Sequence, residues 1–454
     1  MAIEPTPRNA AHLLRRAAWG GTPDEIEACV AVGIEATVDR LLDPSGAPEM
    51  REPVIGPGFL PYDFEVLVGS HLRHCATSPT PAIERLQWFW QGHFATSIEK
   101  IEFPDLMLRQ WATQRRLGLG RFDDLLMAMV HDPALNLYLD LHASVLGRPN
   151  ENFSREVMEL FSMGAGRGYT QRDVVEGGRA LTGYSLVEHP RIARPIGSRL
   201  VPTLHDDGPK TFLGRSGRLD ATDVIAAITD SEECHRFVPE RLWFRYAGTD
   251  IPAEVSDQLS RSFGADLRID RLLRAMLTHP RFYEADVRGG LVASPFELVV
   301  RTVRGFGLPL PDATTLPVDE LEEQIEENGW WWAYGLFEGL GLLGQVPGIP
   351  PNVAGWPHNA EWLDSNRAAA RLQLGTELGG LIAEADLPVA EALRSAVGTG
   401  GDRLTRTLLA RFGVLEWSAE TGSAIERTAA GTDPVPAVAA AFAVAFTSPE
   451  VTLS

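Results

Sequence analysis

Apolar residues recur along most of this chain at intervals of three and four, the spacing that lines one face of an α-helix. After Thr80-Pro81, the residues Ile83, Leu86, Phe89, Trp90 and His93 follow this rhythm. Thr22-Pro-Asp-Glu25 and Ser294-Pro-Phe-Glu297 carry a capping hydroxyl, a proline at the first helical position and a reciprocal acid three residues on. Thr170-Gln-Arg-Asp173 opens another helix in the same way. Further helices are predicted near 103–117, 121–130, 222–231, 235–246, 254–263, 268–277, 317–327, 364–384 and 403–411.

Alternating or β-branched runs are short and confined to 184–187 and 199–203, where a small hairpin is expected. The predicted class is mainly α, a large multi-helix assembly with long Pro/Gly-rich loops and at most a small β-hairpin. Residues 44–63, 187–220 and 344–364 interrupt the helices with proline, glycine and polar residues. Loops of such length are most often functional when they carry chemistry-bearing side chains. One large domain over 1–454 is expected, with 187–220 the place where an N-terminal lobe (1–186) and a C-terminal lobe (221–454) would join.

The composition is that of an ordinary globular chain, but 61 acids against 41 bases leave a formal charge of −20. Such a balance excludes nucleic acid as a general partner while permitting a local basic pocket. Cys29, Cys75 and Cys234 are too scattered for a disulfide framework or a zinc ribbon. No signal-like start and no apolar run of membrane-spanning length is seen, so a cytoplasmic location is expected.

Four segments carry candidate chemistry. In PNENFSREVMELFSMG (149–164), Phe153, Val157, Leu160 and Phe161 make an apolar stripe flanked by Asn152, Glu156 and Glu159. Arg155 stands one turn from Glu151 and from Glu159, so it is expected to bridge both. Glu156 borders the stripe without a cation of its own, a position that raises a carboxyl's pKa unless another segment pairs it. His93 in RLQWFWQGHF points inward with its stripe. HDDGPKTFLG gathers His205, Asp206 and Lys210 on a turn, and 350–371 offers Asn352, Trp356, His358, Trp362 and Arg367 as a pocket wall. Convergence of His93, Asn152, Glu156 and His205 on one pocket is expected, because each is a polar group that needs a partner. His93, Glu156 and His205 are the metal-ligand candidates. The cofactor stays open, with a divalent metal one candidate. Phosphate-binding loops, dinucleotide fingerprints, nucleophile elbows and HExxH are absent from the sequence.

Taken in order, HLLRRAAWGGTPDEI, FWQGHFATS, HDPALNLYLD, PNENFSREVMELFSMGAGRGYTQRDVVEGGRALTGY, HDDGPKTFLG, LVASPFELVVRTVRGFG and PPNVAGWP resemble the bacterial family catalogued as domain of unknown function 1800. The resemblance implies a helical fold, relatives that often bear an export signal, and a sulfatase-like partner protein. It also implies a histidine at the position of Gln91 in many members, so any metal here would rest on His93, His205 and carboxylates.

Three functions follow as expectations. A hydrolase would use a protonated Glu156 and an ionised Asp206 as acid and base, with His93 and His205 beside them. Asn152, Arg155, Glu159, Lys210, Asn352 and Arg367 would bind its substrate. Trp90, Trp356 and Trp362 would stack on a carbohydrate-like or polymeric one. A metal-dependent oxidoreductase would place Glu and His inside a helical bundle, though the Glu-x-x-His pairs of di-iron bundles are missing from the central helix. A non-catalytic scaffold or secretion partner is the third.

Overall fold

The computed structural model describes residues 3–47, 64–188, 194–310, 330–397, 401–430 and 433–453. Helix dominates them. All three expected capping boxes form, at Thr22, Thr170 and Ser294. In the first, the Glu25 N–H donates to Thr22 Oγ1 at 3.2 Å and the Thr22 N–H donates to the Glu25 carboxylate at 2.8 Å. The helix predicted at 317–327 falls outside the described residues, as do 48–63 and 189–193 of the predicted loops.

Two antiparallel hairpins make up the sheet structure of the described residues. Strand β1 (Tyr184–Glu188) pairs with β2 (Pro195–Leu200), the expected hairpin. Strand β3 (Lys210–Phe212) pairs with β4 (Arg215–Gly217) inside a stretch predicted as loop. The segment 187–220 does not divide the protein. Phe212 and Leu219 belong to one apolar cluster that also holds Leu86, Phe153, Trp243 and Leu273, from both sides of it. The core splits instead near residue 290: a second cluster runs from Phe296 through Leu340, Leu378 and Phe442 to Val451 and reaches back to Val68, Leu72 and Trp88. In this second part the apolar Pro434–Thr447 helix packs on Ser365–Glu384, as its composition suggests. A Cβ at Gly379 would lie 2.7 Å from the Ala439 carbonyl oxygen, so small residues set the close approach.

The two clusters meet along the Pro81–His93 helix. Every residue of that helix is buried. Leu86, Phe89 and Trp90 pack into the first cluster and Trp88 into the second. A helix buried all round can hold charged or polar side chains only where another element satisfies them. Arg85 is such a residue, and a pocket opens beside it.

Candidate anion-binding site

Four segments build the pocket. The Pro81–His93 helix contributes Arg85, Trp88, Phe89 and Gly92; the Glu232–Ala247 helix, Arg245 and Tyr246; the capped start of Pro295–Phe306, Ser294 and Glu297. Gln345, Trp356 and His358 come from the Pro/Gly-rich loop. That loop is pinned. Asn359 accepts from the Val292 N–H at 2.9 Å and donates to the Gly248 carbonyl at 2.8 Å, while His358 Nε2 donates to the Phe244 carbonyl at 2.9 Å. Gly355 has φ +88° and lies so close to Gly92 that a Cβ would stand 2.3 Å from the Gly92 oxygen. Only glycine serves there, and its placement lays Trp356 on Trp88, ring centroids 5.1 Å apart.

The space enclosed is about 40 Å³, room for about three waters or a compact ionic group at roughly 10–15 Å³ per water centre. Its charge is unbalanced. Arg85 forms a 2.5 Å ion pair with Glu297 and lies over the Trp19 ring at 4.9 Å. Arg245 has no carboxylate at ion-pair distance among the described residues: it donates to the Trp356 carbonyl and to His358 Nδ1, each at 3.4 Å. Arg241, one turn earlier, has an ion pair with no described residue, and its buried Nε makes no hydrogen bond there. Burial, then the charge of Arg241, lowers the Arg245 pKa to about 9. Thus the cavity has one lining carboxylate, Glu297, already paired with Arg85, while Arg245, with Arg241 behind it, is acted on by Glu297 and by the more distant Glu361 without an ion pair to either.

The imidazoles beside these cations are neutral. Burial and Arg245 bring His358 down to about 3; burial and Arg241 do the same to His93. His358 Nε2 faces a carbonyl, which can only accept, and Nδ1 faces a guanidinium, which can only donate. The Nε2–H tautomer follows, and it orients Arg245. His93 Nε2 likewise donates to the Phe161 carbonyl at 2.8 Å, and its buried Nδ1 makes no hydrogen bond with a described residue. Gln345 accepts from the Phe296 N–H at 2.9 Å through its oxygen, which leaves its N–H2 group as a donor on the lining.

Of the residues singled out from sequence, Trp356 and His358 line this pocket and His93 borders it through Phe89, on which its ring stacks at 5.4 Å. The others lie in separate networks. His205 Nδ1 lies 3.0 Å from the Thr182 carbonyl. Asp206 takes two hydrogen bonds from Arg179, at 2.8 and 3.3 Å, which hold its carboxyl below the usual range. Lys210 is buried and donates to the carbonyls of Asp206 and Gly208. Asn152 donates to the Leu139 carbonyl at 3.3 Å. Asn352 caps a turn by accepting from Ala354 N–H, and Arg367 pairs with Asp364. Trp90 and Trp362 are sealed in the core and present no face for stacking. None of the four residues expected to converge is hydrogen-bonded to another: His93, Asn152 and His205 each meet a backbone carbonyl, and Glu156 meets no described partner.

The central helix also departs from its ideal wheel. After Asn152–Glu156 the turns widen into a π-helix, Val157–Ser162, in which the Met163 N–H reaches back five residues to Met158 at 2.8 Å. Widening moves Glu159 off the row of Arg155. Arg155 binds Glu151 at 3.2 Å and Gln171 instead, while Glu159 accepts from Tyr169 at 3.5 Å. Glu156 stays partly exposed, with no hydrogen bond or ion pair to a described residue, and burial together with Glu159 raises its pKa. Among the described residues no three His, Cys, Asp or Glu side chains are grouped to hold a metal ion, so His93, Glu156 and His205 do not form a ligand set.

Arg85, Arg241, Arg245, Glu297, Tyr246 and Gln345 are the site residues that the motif reading passed over. A signal was present: Arg85 shares a helix face with Phe89 and Gly92, so a charge occupies an apolar stripe. The chain belongs to the family described as "Protein of unknown function (DUF1800)", whose model matches residues 12–453. No curated protein and no solved structure matches it. Among the described residues no helix is long and apolar enough to cross a membrane.

Proposed function

We propose that this protein binds an oxyanion, as a free ion or as the charged group of a larger ligand, in the pocket between Arg85 and Arg245. One observation carries the reading: Arg245 lines a small aromatic-walled cavity where the only lining carboxylate, Glu297, is already paired with Arg85, and Arg241 adds a second cation close behind it. Unpaired guanidiniums in such a place are costly unless an anion completes them. Their fork of donors matches carboxylate, sulfate and phosphate alike. The test is thermal unfolding at constant ionic strength with acetate, sulfate, phosphate or chloride. An anion at about 100 times its Kd stabilises by about 2.7 kcal/mol, so one oxyanion should raise Tm well above chloride. Equal Tm in all four would refute the reading.

Glu156 supports a second reading, an acid–base role in hydrolysis. Its half-buried, unpaired carboxyl with a raised pKa sits where an α-helix passes into a π-helix, a distortion frequent at functional sites. Loss of hydrolytic activity in Glu156→Gln with folding intact would support it; retained activity would end it.

A further inference from the structure

We infer that the oxyanion this pocket selects carries its own proton, as inorganic hydrogen phosphate does, and that sulfate is rejected. The inference rests on the anion-binding reading and turns on Glu297. This carboxylate lines the same small cavity as Arg245, Gln345 and Tyr246. One of its oxygens is ion-paired with Arg85 Nη1 at 2.5 Å and the other accepts from the Ser294 N–H at 3.3 Å. Each carboxylate oxygen has two acceptor directions, so Glu297 keeps acceptor capacity toward the cavity. An anion drawn in by Arg245 must therefore meet donors on one side and an acceptor-only group on the other.

A sulfate has no hydrogen at neutral pH, and its oxygens would oppose the Glu297 oxygens with nothing between them. Inorganic phosphate carries at least one P–OH up to strongly basic pH, whereas a monoester, with a second pKa of about 6, is mostly a dianion without one at pH 7. Inorganic phosphate can donate that hydrogen to Glu297 while its remaining oxygens accept from Arg245, from the Gln345 N–H2 group and from Tyr246, whose burial keeps the phenol protonated. An unprotonated carboxylate satisfies the arginines but leaves Glu297 unmet. The pocket thus discriminates by building an unpaired acceptor against the wrong ligand, a general route to specificity.

The experiment is calorimetric titration of the intact chain, at fixed ionic strength and pH 7, with inorganic phosphate, sulfate, acetate and glycerol phosphate. Inorganic phosphate should bind at least tenfold more tightly than sulfate at pH 7, and glycerol phosphate, mostly without a P–OH there, should bind more weakly than phosphate and gain affinity when the pH is lowered to about 6. Glu297→Gln, which keeps the shape and can donate a hydrogen, should shrink the phosphate-to-sulfate ratio at least fivefold. Should that variant fail to fold, the wild-type ratio decides alone. Sulfate or acetate binding as tightly as phosphate overturns this inference and leaves the oxyanion reading standing. Binding of none of the four removes the reading itself.

Discussion

Two polar clusters of this protein, one a dense run in the sequence and one assembled from distant residues, differ in how their charge is settled. At the HDDGPK turn, Arg179 and Lys210 meet Asp206, Glu176 and three backbone carbonyls, and each charge has an opposite charge or a carbonyl at hydrogen-bond distance. At the seam between the two apolar clusters, Arg85 takes the one lining carboxylate, Glu297, and Arg241 and Arg245 have no ion pair among the described residues, with neutral His93 and His358 beside them. The first cluster is complete and holds a loop. The second lacks a negative charge, which is a property expected of a site that receives one. A count of polar residues does not separate the two; the balance among them does.

The largest expected effect on this comparison is a pH effect. Below pH ~6.5 the unfolded chain takes up protons that the pocket refuses until about 3 at both His93 and His358. Stability is therefore full above this window and falls as pH drops through it, by up to about 1.4 kcal/mol per pH unit for each imidazole. Buried Asp132, raised to about 7, acts in the opposite sense and loses stability as pH rises toward 7. Chemical denaturation between pH 4 and 7 should show the net acid loss in wild type and a shallower slope in His358→Gln. An unchanged slope in that variant would mean that His358 is charged in the fold.

Arg179→Ala separates the clusters directly. It leaves Asp206 and Glu176 facing one another half-buried, and should cost about 2–3 kcal/mol of stability. Oxyanion affinity, read by titration, should stay within twofold; a large loss of affinity would join the two clusters into one site. Glu156→Gln is a smaller step: melting should be unchanged or raised within about 0.5 kcal/mol, because the carboxyl has no partner to lose. A marked fall in its Tm would reveal a buried ion pair at Glu156. Smallest of all, Arg155→Ala removes a surface pair with Glu151 and should cost under about 1 kcal/mol.

The helical fold was legible in the sequence because its signals are local: a hydroxyl, a proline and an acid at fixed spacing start the helices at Thr22 and Ser294 whatever lies elsewhere. Of the site, only Trp356, His358 and the neighbourhood of His93 were legible. Motif reading favours dense polar runs, and those at 149–164 and 205–210 turned out to be satisfied by backbone groups within a few residues or by an adjacent hairpin or helix. Arg85, Arg245 and Glu297 are isolated letters in apolar helices, separated by 160 residues and by 52. Their meeting is decided by where two core clusters join and by the closeness of Gly355 to Gly92, which no local spacing encodes. The π-turn at Val157–Ser162 escaped for a related reason, since a wheel of fixed pitch cannot register a widened turn.

The account stands most directly on Arg245. Titration of wild type and Arg245→Gln with inorganic phosphate, alongside thermal unfolding in the absence of the anion, tests it in one comparison. Removing an unpaired cation should leave Tm unchanged or raise it, since Arg241 and Arg245 repel one another. Affinity should fall about 10–100-fold, the worth of a charge-assisted hydrogen bond of about 1.5–3 kcal/mol. A variant that melts well below wild type yet binds phosphate equally well would show that Arg245 holds the fold and receives no anion.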